Sequence, residues 1–234
     1  MGKLIVFNHK MSLLYDDLYS YIERVNNIDT DNDIIICPSN IYLEAFVNNS
    51  LYPIGAQNLH FALDNKHTGE VSTDQLKSLG VLYSLIGHYD RVREFNENVN
   101  IVNEKLIAAL DANIVPILCF GEDVTDDYRN VIPSLLDGYL KGVMNIEFII
   151  FAYEPVYAVG TGILPNTDRI SEVTKFIRKY LMDKYGKRAT LIYGGSVDSS
   201  NIQEIISSCD VDGALIGDIS SNSTEVIRII DSLK

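Results

Sequence analysis

The 234-residue chain reads as an α/β protein, a closed (β/α)8 barrel in a single domain spanning 1–234, and three features predict it. Eight short apolar runs recur along the chain. Their hydrophobicity is nearly continuous rather than alternating, as expected of strands covered on both faces. Amphipathic segments separate them, and no Pro/Gly-rich linker, low-complexity tract or composition break marks a second domain.

The runs, in order, are "LIVF" (4–7), "IIIC" (34–37), "YPIGA" (52–56), "VLYSLI" (81–86), "VPILCF" (115–120), "FIIFAY" (148–153), "ATLIY" (189–193) and "VDGALI" (211–216). Of the segments between them, "TDRISEVTKFIRKYLMDKYG" is the clearest helix. Ile170, Val173, Ile177 and Leu181 recur there at three- and four-residue steps, and Gly186 is placed to cap the C-terminus. A doubly wound dinucleotide-binding sheet is disfavoured, because "FNHKMS" rather than a G-x-G-x-x-G turn follows the first run. Eight units favour the closed barrel.

Composition narrows the partners. Hydrophobic residues at 47% and charged residues at 22% are ordinary for a globular chain able to bury a sizeable core. A net charge of −13 argues against a nucleic-acid partner, which needs a basic face, but leaves room for a small anion in one local cleft. Cys37, Cys119 and Cys209 are widely spaced and form no CxxC pair, so a reducing cytoplasm is expected. The first apolar run is too short for a signal segment, and no stretch approaches the ~18 apolar residues of a membrane span. No His/Cys cluster has metal-ligand spacing, so neither a metal nor an organic cofactor is expected.

In a barrel, chemistry gathers where strands end and loops begin. The polar residues at those places are Asn8 and Lys10, Gln57 and Asn58, His88, Glu122, Glu154, then Gly194, Gly195 and Ser196, and finally Gly217 and Asp218. Alone, His88 in "SLIGHYDRVREF" reads as part of a solvated turn and Glu154 as a salt-bridged loop cap. Together at successive strand ends they read as a site. Glu154, beside apolar residues and ahead of Pro155, would be partly stripped of water, the setting in which a carboxylate serves as a base. Gly160 and Gly162 let the backbone after it approach a ligand or move as a lid. Glycine turns follow the seventh and eighth runs, where barrels hold a phosphate on backbone N–H groups.

The motifs "FNHK", "GAQN", "HTGEVS", "LIGH", "ILCFGE", "AYEPVYAVGTG", "IYGGSV" and "DGALIG" resemble, in order and at compatible spacing, those of the triosephosphate isomerase family across nearly the whole chain. The resemblance, not composition or spacing, supplies the following roles. It implies a (β/α)8 isomerase of glycolysis and gluconeogenesis that interconverts glyceraldehyde 3-phosphate and dihydroxyacetone phosphate. Glu154 would be the base moving a proton between two carbons. His88, neutral at a helix N-terminus, would polarise the carbonyl. Lys10 would face the developing enediolate with Asn8 beside it. Gly160, Ser196, Gly217 and Asp218 would hold the phosphate, and residues 155–165 would form a closing lid. The long connection 58–72, around Thr68, would reach into a second copy of the chain and make a homodimer.

The chain departs from the family pattern at several of these places. Tyr89 stands where a small hydroxyl residue is usual, and Asp90 replaces a glutamate. Asp218 replaces a glycine; it is expected to cap a short helix with its carboxylate turned away and its N–H available. Tyr157 replaces a tryptophan, and Ile163, Leu164 and Pro165 replace a small polar hinge. These changes imply reduced turnover or a shifted substrate. Two alternatives therefore stay open: the same isomerisation on a longer ketose phosphate, and a non-catalytic barrel that binds a phosphate or a protein partner. Cys119 and Glu122 are expected to pack beneath the site, and His9, His60 and His67 show no defensible partner spacing.

Overall fold

The structure, a computed structural model, describes residues 2–62, 64, 66–163 and 165–234. The eight expected runs become eight strands: β1 (Leu4–Asn8), β2 (Asp33–Cys37), β3 (Gly55–Ala56), β4 (Tyr83–Ile86), β5 (Val115–Phe120), β6 (Ile150–Tyr153), β7 (Thr190–Gly194) and β8 (Gly213–Ile216). All their pairings are parallel, in the order β2-β1-β8-β7-β6-β5-β4-β3. Ile36 bridges Ile54, and its N–H donates to the Pro53 carbonyl at 3.1 Å, so the two ends of the sheet meet and the barrel closes. The expected strand at 52–56 shrinks to two regularly paired residues. Pro53 has no N–H to give to a ladder, so only the residues beyond it pair fully.

Why the strands read as continuous apolar runs is visible in their two faces. Val6, Ile35, Cys37, Leu85, Ile117, Cys119, Ile150, Ala152, Ile192 and Leu215 pack together inside the barrel. The alternate residues, among them Ile5, Phe7, Ile36, Leu118, Phe151 and Tyr193, pack outward against the helices. Both faces of each strand are thereby covered. Gly55 is required by the interior: a Cβ there would meet Cys37 Sγ at 2.7 Å.

The helices are α1 (Leu18–Asn26), α2 (Leu43–Asn49), α3 (Thr73–Leu79), α4 (Tyr89–Glu94), α5 (Val99–Asp111), α6 (Tyr128–Tyr139), α7 (Thr167–Tyr185), α8 (Ile202–Ser208) and α9 (Ser223–Asp231). Helix α7 follows the sequence pattern closely. Asn166 caps its N-terminus by accepting the Asp168 N–H at 2.8 Å, and Gly186 ends it at φ 65°. Its Ile170, Val173, Ile177 and Leu181 are fully buried, each stabilising by about 1.5–3 kcal/mol. Among the described residues, no helix is long and apolar enough to cross a membrane.

The connection 58–72 doubles back on itself. His60 donates its N–H to the Val71 carbonyl at 2.8 Å, and Ser72 with Gln75 forms a reciprocal cap that starts α3. His60 and His67, for which the sequence offered no pairing, stack with ring centroids 4.2 Å apart, and His67 reaches Asp64 at 3.0 Å. Thr68 is exposed on this loop. Leu63 and Asn65 of the loop, and Leu164 of the expected lid, lie outside the described residues.

His9, likewise unassigned by sequence, is a core residue. It packs edge-on against Tyr21 and Phe46, and burial pushes it down to about 3, so it is a neutral imidazole. The Tyr21 hydroxyl donates to the Ser220 carbonyl at 2.8 Å, so His9 Nε2 donates to that hydroxyl at 2.9 Å. Ser220 Oγ in turn donates to the Asn8 carbonyl at 2.7 Å. This chain of bonds fixes the end of β1 against the loop after β8.

Candidate active site

Asn8, Lys10, His88, Glu154, Gly160, Ser196, Gly217 and Asp218 all line one cavity of about 230 Å³. They come from the ends of β1, β4, β6, β7 and β8, on the face where the strands finish.

Glu154 follows β6 directly and is 5% exposed. Its N–H donates to the Phe120 carbonyl at 2.8 Å, and two glycines make room for it. A Cβ on Gly121 would lie 1.9 Å from the Glu154 carbonyl oxygen, and one on Gly194 would lie 2.8 Å from its Cγ and 3.0 Å from Oε1. Gly194, read from sequence as part of a phosphate turn, thus seats the glutamate. Oε2 is buried and has no hydrogen-bond partner among the described residues. A buried carboxylate oxygen without a donor is energetically costly, which makes it a strong candidate for taking a proton from a ligand. Cys119 lies close beneath; burial, with the charge of Glu154 added, pushes its thiol well above the ordinary range and keeps it unreactive.

His88 ends the turn after β4, is 6% exposed and caps α4. It is therefore not part of a solvated turn. Its Nδ1 accepts the Asp90 N–H at 3.2 Å, so that nitrogen carries no proton and the ring is neutral with its proton on Nε2. Nε2 stands 3.6 Å from Glu154 Oε1, too far for a hydrogen bond, so this donor of a cavity-lining residue is uncommitted. Tyr89 does not wall it off. The Tyr89 ring lies beside the Arg93 guanidinium at 5.0 Å, and Tyr89 is not among the residues lining the cavity.

Lys10 sits at φ 49°, a region that side-chain-bearing residues rarely adopt. Three hydrogen bonds hold it there: its N–H to Asn8 Oδ1 at 3.1 Å, and its carbonyl accepting from Ser39 Oγ at 2.7 Å and Gln57 Nε2 at 2.7 Å. Asp90 Oδ2 lies 3.5 Å from Nζ, so the shorter carboxylate still reaches the lysine. Asp218 differs from expectation. Residues 218–221 form a turn rather than a helix, and the carboxylate is turned toward the site, with Oδ1 3.0 Å from Lys10 Nζ. An ammonium projecting into the mouth attracts the nearest mobile anion, and Asp218 supplies it. Burial alone would lower the Lys10 ammonium. The Asp218 and Asp90 carboxylates outweigh it and hold it above the ordinary lysine value.

Ser196 is the second strained residue, at φ 45°. Its Oγ donates to the Ala158 carbonyl at 2.8 Å, and Asn201 Nδ2 donates to its carbonyl at 3.0 Å. Asn201, a residue the sequence reading missed, therefore clamps the turn; a polar residue five positions after a Gly-Gly-Ser turn was the available signal. Gly195 is needed because a Cβ there would lie 2.8 Å from the Tyr193 hydroxyl. Glu122 supports the segment after Glu154: its carbonyl accepts the Val156 N–H at 2.9 Å, and its Oε1 accepts from the Tyr153 hydroxyl at 3.0 Å and from Arg169 at 3.3 Å. Burial pushes its carboxyl above the usual range despite those donors. The expected lid begins with a 3-10 turn at Val156–Ala158 and passes through Gly160 and Gly162 at φ 65° and 72°. Pro165 is buried next to Asn166, the cap of α7.

A bare buried carboxylate, an imidazole N–H and an ammonium facing one cavity can abstract a proton from carbon beside a carbonyl and steady the resulting oxyanion. Residues 3–233 match the family model described as Triosephosphate isomerase. The chain is 31% identical over 243 residues to the triosephosphate isomerase of Clostridium botulinum (strain Langeland), covering 97% of this chain and 98% of that protein. It is 33% identical over 244 residues to the triosephosphate isomerase of Alkaliphilus oremlandii, with the same coverage. It is also 39% identical over 220 residues to that of Shewanella sediminis, covering 86% of this chain and 85% of that protein. The chain belongs to the triosephosphate isomerase family, a family of isomerases.

Proposed function

We propose that the protein interconverts glyceraldehyde 3-phosphate and dihydroxyacetone phosphate by proton transfer at Glu154 through an enediolate, as a step of glycolysis and gluconeogenesis. One observation carries the reading: Glu154, whose Oε2 has no partner among the described residues, His88, whose Nε2 is uncommitted, and Lys10 line the same cavity. Glu154 removes the proton from the carbon beside the carbonyl and returns it to the neighbouring carbon. The two carbons trade oxidation state, with no net gain or loss of atoms. His88 Nε2–H donates to the oxygen on which charge develops, and the Lys10 ammonium faces that charge from the other side of the cavity. The phosphoryl end is held in the turns after β7 and β8, by N–H groups of Ser196, Gly217 and Asp218, with Gly160 closing from the lid side. Closure over residues 155–165 keeps water from the enediolate.

The reading extends to a cytoplasmic homodimer. Met11, Leu14, Tyr15, Ile41 and Phe95 are large apolar residues left exposed on the segments following β1, β2 and β4. They share the strand-end face with the loop around Thr68, which supports burial of that face against a second copy. Light scattering on a gel-filtration column is expected to give twice the chain mass at micromolar concentration; a monomer there contradicts it. Recovery in the cytosolic fraction checks the location.

In a coupled assay on the two triose phosphates, Glu154→Asp, His88→Gln and Lys10→Ala each lower kcat by about 10²–10⁴-fold with the fold intact. Purified variants turning over at the parent rate refute the assignment. Gly194→Ala tests the seat of the base rather than the base. The added methyl forces the Glu154 side chain aside, and a displacement of about 1 Å costs about 10²-fold in kcat. Unchanged kcat in that variant would show that Glu154 has room the geometry denies it.

A further inference from the structure

Lys10 is the one lysine or arginine lining the cavity among the described residues, while Glu154, Asp198 and Asp218 all line it with carboxylates. These three acids are not equivalent. Glu154 is buried, and Asp198 is committed to its own turn, its Oδ1 accepting from Ser200 N at 2.8 Å and Ser200 Oγ at 2.6 Å. Asp218 instead reaches across the mouth. Its Oδ1 is 3.0 Å from Lys10 Nζ, and its Oδ2 lies 3.7 Å from where a Cβ on Gly160 would stand. A carboxylate placed between the site's ammonium and the lid glycine occupies the electrostatic position that an incoming anion would take.

We propose that Asp218 is a built-in competitor for the phosphoryl group, holding Lys10 when the site is free and setting how tightly the site takes an anion. The proposal rests on the isomerase reading for the identity of the substrate, but not for the anion test. The Asp218 side chain is 61% exposed, so it can swing into solvent when a ligand arrives. It then remains a negative charge beside a second one, and weakens anion binding rather than blocking it. Because the repulsion crosses solvent, salt screens it. A residue serving only to position Lys10 gives the opposite result, since removing its charge would loosen the lysine and weaken anion binding.

The experiment titrates inorganic phosphate calorimetrically into the purified full chain and into Asp218→Asn and Asp218→Gly, at low and at raised salt, with thermal melts to show that each is folded. Both variants are expected to bind phosphate about fivefold more tightly or better, the scale of one unit-charge contact at about 4 Å in water. The gap narrows at raised salt. KM for glyceraldehyde 3-phosphate falls in parallel, by more than any change in kcat. Equal or weaker phosphate binding by either folded variant overturns the proposal, as does absence of binding in all three chains. Tighter phosphate binding with no isomerisation by the parent chain would sink the isomerase reading and leave the role of Asp218 standing. Normal turnover with unchanged phosphate affinity would do the reverse.

Discussion

A carboxylate that must stay buried with one oxygen bare is the constraint around which the strand-end face is organised. Glu154 is almost entirely buried and its Oε2 has no donor among the described residues, so the carboxylate loses most of the hydration that would stabilise its charge. Gly121 and Gly194 give the glutamate its seat, since a side chain at either position would collide with it. Cys119 fills the barrel interior beneath as a thiol that burial keeps protonated. Glu122, one strand away, ties the segment after Glu154 to the start of α7 through Val156 and Arg169. The desolvation of one group is thus spread over many well-packed neighbours.

Two strained residues flank that carboxylate. Lys10 and Ser196 both hold positive φ, at about 1–3 kcal/mol each. Lys10 is pinned by Ser39 and Gln57, far away in sequence, and Ser196 by Asn201, five residues on, and by its own bond to the Ala158 carbonyl. The strain directs Lys10 into the mouth and exposes the turn after β7. Asp90 and Asp218 then both compensate the ammonium. The departures from the family pattern have different physical consequences here. The Tyr89 ring is accommodated on the surface of α4 beside Arg93, whereas Asp218 enters the site.

Much of this was legible in the sequence because it rests on local pattern. The eight runs announced the strands because both faces of each are buried, and Ile170 to Leu181 announced α7 because one stripe of it is. β3 was overestimated, since an apolar run says nothing of the N–H that Pro53 lacks. The cavity residues could be named because they fall at strand ends. Their contacts could not be: Asp218 was expected to turn away, and only the spatial neighbour Lys10, distant in sequence, turns it inward. The stacking of His60 on His67 and the burial of His9 likewise have little local signature, whereas the clamp from Asn201 is local, five residues beyond Ser196, and was overlooked.

The convergence of Glu154, His88 and Lys10 is tested most directly by a crystal structure with a phosphorylated hydroxamate bound, an uncleavable mimic of the enediolate. The account predicts the mimic's two oxygens within hydrogen-bond distance of His88 Nε2 and Lys10 Nζ, Glu154 Oε2 against the atoms that stand for the reacting carbons, and the phosphoryl group against Ser196 and Gly217. A mimic bound elsewhere, or bound there with Glu154 rotated away from it, would contradict the account.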